Sequence, residues 1–388
     1  MRVLISSIPA TGHFNSIIPM ALATAAAGDE VAICCADAFA DEVRSYGLEH
    51  LHGGAESLAE LSDGAPPLGD PARGRFIQQQ VFAGRATQRM IPDMLRHVEA
   101  WRPDVLVHEN AEFAASLVAE KVGLPHASIG TGAWSSRSDR RELFAGPLSA
   151  RRAEIGLPPD PDAQMMFRHL HLAFIPPSWD GDMPHLPTIH FIRYDNPDRP
   201  GEARPDWLDK PRDHPLVLAA LGTLMNTLPG LFEAIIAAVD GEPIEVVAAV
   251  GRDQDPARFG TAPRNVRIEP YVPQIQVLAE CALFVTHGGF NSTKEALRLG
   301  IPLVVIPIGG DQPYSAERVE ALGLGRAVSP DERDPAIIRG RIREVLAEPR
   351  YRENAQRFSE EMQALPPISH AVALLEQLAR DGRPIPRT

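Results

Sequence analysis

Short apolar runs alternate along this chain with longer stretches whose apolar residues recur at helical spacing. Residues 3–8 (VLISSI) read as a strand, 16–27 as a helix closed by Gly28, and 31–36 as a second strand. Farther on, 104–108 (DVLVH) predicts a strand, 111–122 a helix ended by Gly123, and 126–130 another strand. Near-continuous apolar strands separated by helices imply a parallel sheet covered on both faces, because a half-exposed strand would alternate polar with apolar. Residues 53–74 and 145–165 are rich in loop-forming types and read as irregular. Residues 195–215 hold five prolines and many charges, the mark of a linker.

Beyond that linker the alternation restarts. Strands are predicted at 216–221, 244–250, 266–268 and 282–286, and helices at 228–239, 313–322, 335–346, 350–364 and 370–380. Pro313 near the start and Gly323 past the end punctuate the 313–322 helix well. A chain of 388 residues is more than one core usually serves. The expectation is α/β: an N-terminal domain over 1–200, a linker over 201–214 and a C-terminal domain over 215–367. The last helix, 368–382, is expected to pack back onto the first domain. Ligands of such sheets bind beyond the carboxyl ends of the strands.

Charge narrows the partners. With 51 acidic against 38 basic residues the net charge is −13, and only three lysines occur. That argues against general nucleic-acid or anionic-membrane binding but leaves room for a local phosphate pocket lined by backbone donors. No apolar stretch reaches membrane-spanning length, and Thr11, His13 and Asn15 interrupt the one N-terminal run that resembles a signal segment. Cys34, Cys35 and Cys281 all sit in apolar strand-like runs, as buried thiols do in a reducing compartment. A cytoplasmic protein, monomeric or homodimeric, is expected.

Most of the chemistry lies between Tyr271 and Gln312 (YVPQIQVLAECALFVTHGGFNSTKEALRLGIPLVVIPIGGDQ). A strand there ends in His287-Gly288-Gly289, and a helical pattern starts near Asn291-Ser292. Strand, glycine turn and helix start together present free backbone N–H groups and the positive end of a helix dipole, which suits a diphosphate. Asp311-Gln312 follow, a carboxylate and an amide able to read several hydroxyls. The spacing of Ser292 and Glu295 also fits a reciprocal helix cap.

Taken in order, these residues resemble the family-1 glycosyltransferases of the GT-B fold. The resemblance is carried by Thr11-Gly12-His13 with Pro19, Leu221-Gly222-Thr223, Val272-Pro273-Gln274, His287-Gly288-Gly289-Phe290-Asn291-Ser292 with Glu295, and Asp311-Gln312. It implies two Rossmann-like parallel-sheet domains facing each other across a cleft. It also implies donor contacts from Gly222, Thr223, His287, Gly289, Asn291 and Ser292 to the phosphates, and from Glu295 and Gln274 to the ribose and sugar. Tyr271 and Val272 fall where the base lies; plant relatives carry tryptophan in place of Tyr271, so the base stays open between uracil and thymine. Asp311 and Gln312 resemble the pair that reads glucose hydroxyls, which favours UDP-glucose. The alternatives are a TDP-deoxysugar transferase of antibiotic biosynthesis and an inactive helper protein on the same scaffold.

His13 is expected at a strand's carboxyl end, where Gly12 allows a sharp turn, as the general base of an inverting transfer. The resemblance places a carboxylate behind it after the fourth strand-like run. Glu109 is expected there, with neighbouring His108 and Glu112 as competitors, although strand alternation sends His108 to the opposite side. The acceptor, a small and largely apolar hydroxyl compound, is expected against Phe76, Phe82, Phe113, Trp134 and Phe144. Asp-x-Asp pairs occur at 160/162, 180/182 and 253/255, but each lies in an irregular segment, so no metal and no cofactor beyond the sugar nucleotide is expected.

Overall fold

The computed structural model describes residues 1–67, 70–131, 140–182, 185–195, 202–223, 226–329 and 332–387, and in it the alternation closes into two separate parallel sheets. The first contains β1 (Arg2–Ser6), β2 (Glu30–Cys35), β3 (Glu49–His52), β4 (Val105–Glu109), β5 (His126–Ile129), β6 (Leu170–Ala173) and β7 (Ile189–Phe191). Their order is β3-β2-β1-β4-β5-β6-β7, with every neighbouring pair parallel. The second contains β8 (Leu216–Ala220), β9 (Glu245–Ala249), β10 (Val266–Glu269), β11 (Leu283–Thr286), β12 (Leu303–Val305) and β13 (Gly325–Ala327), in the order β10-β9-β8-β11-β12-β13, again all parallel.

The chain divides into two compact units, Met1–Pro200 with Leu365–Thr388, and Gly201–Ala364. In each, the strand order reverses once, between β1 and β4 in the first unit and between β8 and β11 in the second. At such a switch point the loops leaving two adjacent strands diverge to opposite faces, so a crevice opens beyond the strand ends. The central strands are buried on both faces: all five residues of β4 and of β8 are inaccessible or nearly so. This is why β8 reads as an unbroken apolar run, and β4 as one up to His108. The terminal helix Ile368–Asp381 packs on the helix Thr11–Ala26 and on β4 and β6. It buries Val372, Leu374, Leu375 and Leu378, each worth about 2 kcal/mol before the entropy of ordering is counted.

Some segments differ from the sequence reading. The helix Arg140–Glu154 runs through Pro147, where 145–165 was expected to be irregular. The 53–74 stretch holds two short helices, Leu58–Leu61 and Pro71–Phe76. The latter continues into ten residues of π-helix, Ile77–Ala86, and then the helix Thr87–Trp101. Within it the Thr87 hydroxyl donates to the Phe82 carbonyl, five residues back, at 2.7 Å. π-Helix is rare in any length, and its common single-turn form is frequent at functional sites. The three cysteines are free and buried. Among the described residues, no helix is long and apolar enough to cross a membrane.

Candidate active site

At the switch point of the first unit, the loops after β1 and β4 bring His13 and Glu109 together. His13 lies in the first turn of the helix Thr11–Ala26, with its Nδ1 2.8 Å from Oε2 of Glu109. Gly12 is not the sharp turn that the sequence suggested: it is helical, has no positive φ, and a Cβ there would meet open space. Glu109 is fully buried and held by backbone as well, Oε2 accepting from Ala111 N–H at 2.6 Å and Oε1 from Ile8 N–H at 3.4 Å. A carboxylate against Nδ1 places the imidazole proton on that nitrogen and leaves the Nε2 lone pair to act as a base. The ring meets Phe82 edge-on at 5.6 Å, and the His13 side chain keeps 21 % exposure.

The competing groups are engaged elsewhere. His108 contacts the Glu109 carbonyl through Nδ1 at 3.0 Å and His126 through Nε2 at 3.2 Å, on the other face of the sheet. Burial pushes both imidazoles below their ordinary range. Glu112 accepts from the Ser6 hydroxyl at 2.7 Å and caps the helix Ala114–Val122 through Ala114 and Ala115 N–H. Burial raises its carboxyl to about 7. Asn110, next to Glu109, gave no signal in the sequence. Its Oδ1 accepts from the Thr131 N–H and hydroxyl, which fixes the amide orientation, and its Nδ2 is buried with no partner among the described residues.

The second unit builds its site at the ends of β8 and β11. His287 is buried between two glycines: a Cβ on Gly222 would lie 2.7 Å from its Nε2, and one on Gly289 only 2.4 Å away. Gly288, at φ +84°, makes the turn. Burial lowers the His287 imidazole to about 4, with the Ala220 backbone carbonyl opposing the shift, so the ring meets a ligand as a neutral hydrogen-bonding group. The following helix is Phe290–Arg298, with Gly289 as an N-cap that has no side chain to offer. It therefore starts before the position the Ser292–Glu295 cap requires, and that reciprocal cap does not form. Glu295 instead accepts from Gln274 Nε2 at 2.6 Å, with the Ser292 hydroxyl 3.4 Å from the same nitrogen. Asn291 lies in the same first turn and is half-buried.

Farther round, Gln312 turns inward. Its Oε1 accepts from Ile308 N–H at 2.7 Å and Gly309 N–H at 3.0 Å. Half of the expected hydroxyl reader thus holds its own loop; Asp311, just before it, is the N-cap residue of the helix Gln312–Ala321. Val272 is buried, Thr223 is exposed, and Tyr271 is half-buried with Arg252 over its ring.

The apolar residues expected to line an acceptor pocket separate into two groups. Phe113 and Phe144 are fully buried and pack 5.2 Å apart, so they belong to the core. They had no distinguishing mark in the sequence, since core and pocket aromatics look alike. Phe82 faces His13, and Phe76, six residues earlier, lies half-buried. Trp134 lies outside the described residues. The Asp-x-Asp carboxylates serve local structure: Asp160 accepts from Met165 N–H, Asp180 meets His185, and Asp255 caps the turn at 256–259. Among the described residues Asp37, His52 and Glu56 could converge on a cation, but all three are exposed and His52 Nδ1 already bridges the two carboxylates at 3.2 and 3.4 Å.

Comparison with known proteins decides the family. The 4'-demethylrebeccamycin synthase of Lentzea aerocolonigenes is 30 % identical, the match covering 97 % of this chain and 99 % of the relative. The chain belongs to the bacterial natural-product glycosyltransferases of family 1. Residues 232–378 match the family described as erythromycin biosynthesis protein CIII-like, C-terminal domain. The NDP-glycosyltransferase YjiC of Bacillus licheniformis is 26 % identical over 92 % of each chain. Among solved structures, the glycosyltransferase VinC in complex with dTDP superposes with a TM-score of 0.80 at 26 % identity, covering 98 % of this chain and all of that one. The two parallel-sheet units are those of the GT-B fold.

Within this glycosyltransferase, the two switch points hold different chemistry. The first pairs an imidazole, His13, with the buried carboxylate of Glu109; the second sets a buried imidazole, His287, beside a helix start.

Proposed function

We propose that this glycosyltransferase moves a sugar, with inversion, from a nucleoside diphosphate donor to a hydroxyl of a small apolar natural product. The observation that carries this reading is the 2.8 Å contact between His13 Nδ1 and Glu109 Oε2, which favours the Nδ1–H tautomer. In this reading Nε2 takes the proton of the acceptor hydroxyl. The oxygen attacks the anomeric carbon as the bond to the diphosphate oxygen breaks, and the nucleoside diphosphate leaves with both electrons of that bond. One displacement without a covalent enzyme intermediate inverts the anomeric configuration. The departing charge meets the N–H groups of the 290–298 helix and the His287 ring. Glu295 and Gln274, already paired, would hold the ribose.

For the donor, we favour a thymidine diphosphate sugar over UDP-glucose. The inward turn of Gln312 weakens the glucose reading that the Asp311-Gln312 pair suggested. Several relatives act on, or were solved with, thymidine diphosphate species, including the TDP-daunosamine transferase DnrS of Streptomyces peucetius and VinC. Incubation of the full chain with TDP-sugars and UDP-glucose, each against a panel of phenolic and macrolide alcohols, tests both readings by mass spectrometry. Product with TDP-sugars alone is expected. Product only with UDP-glucose reverses the donor assignment, and no product from any pair favours the inactive helper.

A further inference from the structure

The base end of the sugar-nucleotide site should be a tyrosine ring open for stacking. In the structure the Tyr271 ring is covered: the central guanidinium carbon of Arg252 lies 3.5 Å from its centroid. That distance fixes the orientation of the cation. With C–N bonds of about 1.3 Å, an edge-on guanidinium here would bring nitrogens to roughly 2.2–2.8 Å from the ring plane, well inside contact distance. The guanidinium therefore lies flat on the ring. Arg252 is exposed.

The pair is supported from below and from the side. Gly251, at φ +109°, turns the chain as it leaves β9, and its N–H donates to the Pro270 carbonyl at 3.1 Å. This ties the loop carrying Arg252 to the one carrying Tyr271. The Tyr271 hydroxyl donates to the Glu202 carboxylate, and the Glu202 carbonyl accepts from Gln276 Nε2 at 3.3 Å. Three residues after Tyr271, Gln274 begins the cluster with Glu295 and Ser292. The platform thus adjoins the residues that would hold ribose and diphosphate.

We infer that Arg252, and not the Tyr271 ring itself, is the surface on which the donor base stacks, with Tyr271 as the layer beneath. A flat guanidinium matches the face of a planar pyrimidine, and its charge adds a cation–π attraction to the stack. The 5-methyl group that separates these bases is not sensed by such a stack, so the platform takes both. The inference rests on reading this unit as the nucleoside diphosphate site.

Calorimetric titration of the full chain with TDP, UDP and inorganic pyrophosphate tests it, on wild type, Arg252→Ala and Arg252→Lys. Stacking on Arg252 predicts that Arg252→Ala weakens TDP and UDP roughly tenfold or more, leaves pyrophosphate nearly unchanged, and is not rescued by lysine, which keeps charge but has no plane. Wild-type affinity for TDP in Arg252→Ala overturns the inference. So does an equal loss for TDP and pyrophosphate, or full rescue by lysine, since either would mean that charge alone matters. Failure of the wild type to bind TDP or UDP at all overturns the donor reading itself.

Discussion

His13 Nδ1 and Glu109 Oε2 stand 2.8 Å apart, and the same carboxylate oxygen accepts the Ala111 N–H. The histidine comes from the first helix and the glutamate from the end of β4, joined because β1 and β4 are neighbours in the sheet. Backbone anchoring means that the carboxylate orients the ring and is not itself steered by it. Glutamate's extra methylene, relative to an aspartate, is accommodated by the Ile8 and Ala111 N–H groups that grip both oxygens.

Replacing His13 by alanine should lower kcat/KM for an alkyl alcohol acceptor by about 10²–10⁴-fold, the usual contribution of a general base. A strongly acidic phenol, which barely needs a base, should lose far less. Glu109→Gln should also cost activity, because an amide can present its NH₂ to Nδ1 and favour the wrong tautomer. Initial rates with the two acceptor types measure both effects. An equal loss for alcohol and phenol would argue that His13 only shapes the pocket.

The glycine beside His287 offers a steric test. Gly289 has φ −59°, which any residue tolerates, so Gly289→Ala adds only a Cβ that would lie 2.4 Å from Nε2. Displacing the ring should weaken TDP binding and destabilise the fold by about 1–3 kcal/mol. Gly340→Ala, within the helix Pro335–Ala347 and with nothing within 4 Å, is the matched control. It should stabilise by up to about 1 kcal/mol. Thermal melts and TDP titration of the two variants separate crowding from a general intolerance of alanine.

Acid should loosen the second unit through His287. Burial holds this imidazole at about 4 against an ordinary 6.5. Between those values the unfolded chain binds a proton that the folded unit does not, so stability falls as pH drops from 6.5 towards 4. The full effect is about 3 kcal/mol. His287→Gln should remove that component. Urea denaturation of both proteins at pH 7.5, 5.5 and 4.5 checks it: parallel pH dependences would refute the assignment.

Lys294 is almost fully buried on the 290–298 helix, over the Phe290 ring, and burial lowers its amine from 10.5 to about 7. Lys294→Met should stabilise the protein below neutral pH, by at most on the order of 4 kcal/mol. The gain should shrink as pH rises from 7 towards 10, because there the unfolded amine stays protonated while the folded one is neutral, so wild-type stability climbs with pH across that window. Chemical denaturation across that range gives the sign directly. A destabilised variant would mean that the ammonium is held by hydrogen bonds worth more than its desolvation.

Much of the architecture was legible because buried parallel strands write themselves as unbroken apolar runs. The central β1, β4, β8 and β11 were all readable in this way. The short edge strand β3 (EHLH) was not, since an edge half open to water needs no such run. The glycine turn before the 290–298 helix was legible too, because a strand followed by His-Gly-Gly and a helical pattern is a local arrangement.

What spacing alone determined was which residues stand at strand ends and helix starts, and so which were candidates for chemistry. It favoured Glu109 over His108 and Glu112 as the partner of His13 without being able to show the contact, and it allowed a Ser292–Glu295 cap. It gave no hint that Phe113 and Phe144 are core, that Gln312 folds inward, that Gly222 and Gly289 clamp His287, or that Arg252 covers Tyr271. Only the tertiary structure decided these. Each joins residues from different loops, or from a loop and a core, and which loops meet depends on the order of strands across a sheet. That order is settled by many weak packing contacts summed over the whole unit, and no local pattern records the sum.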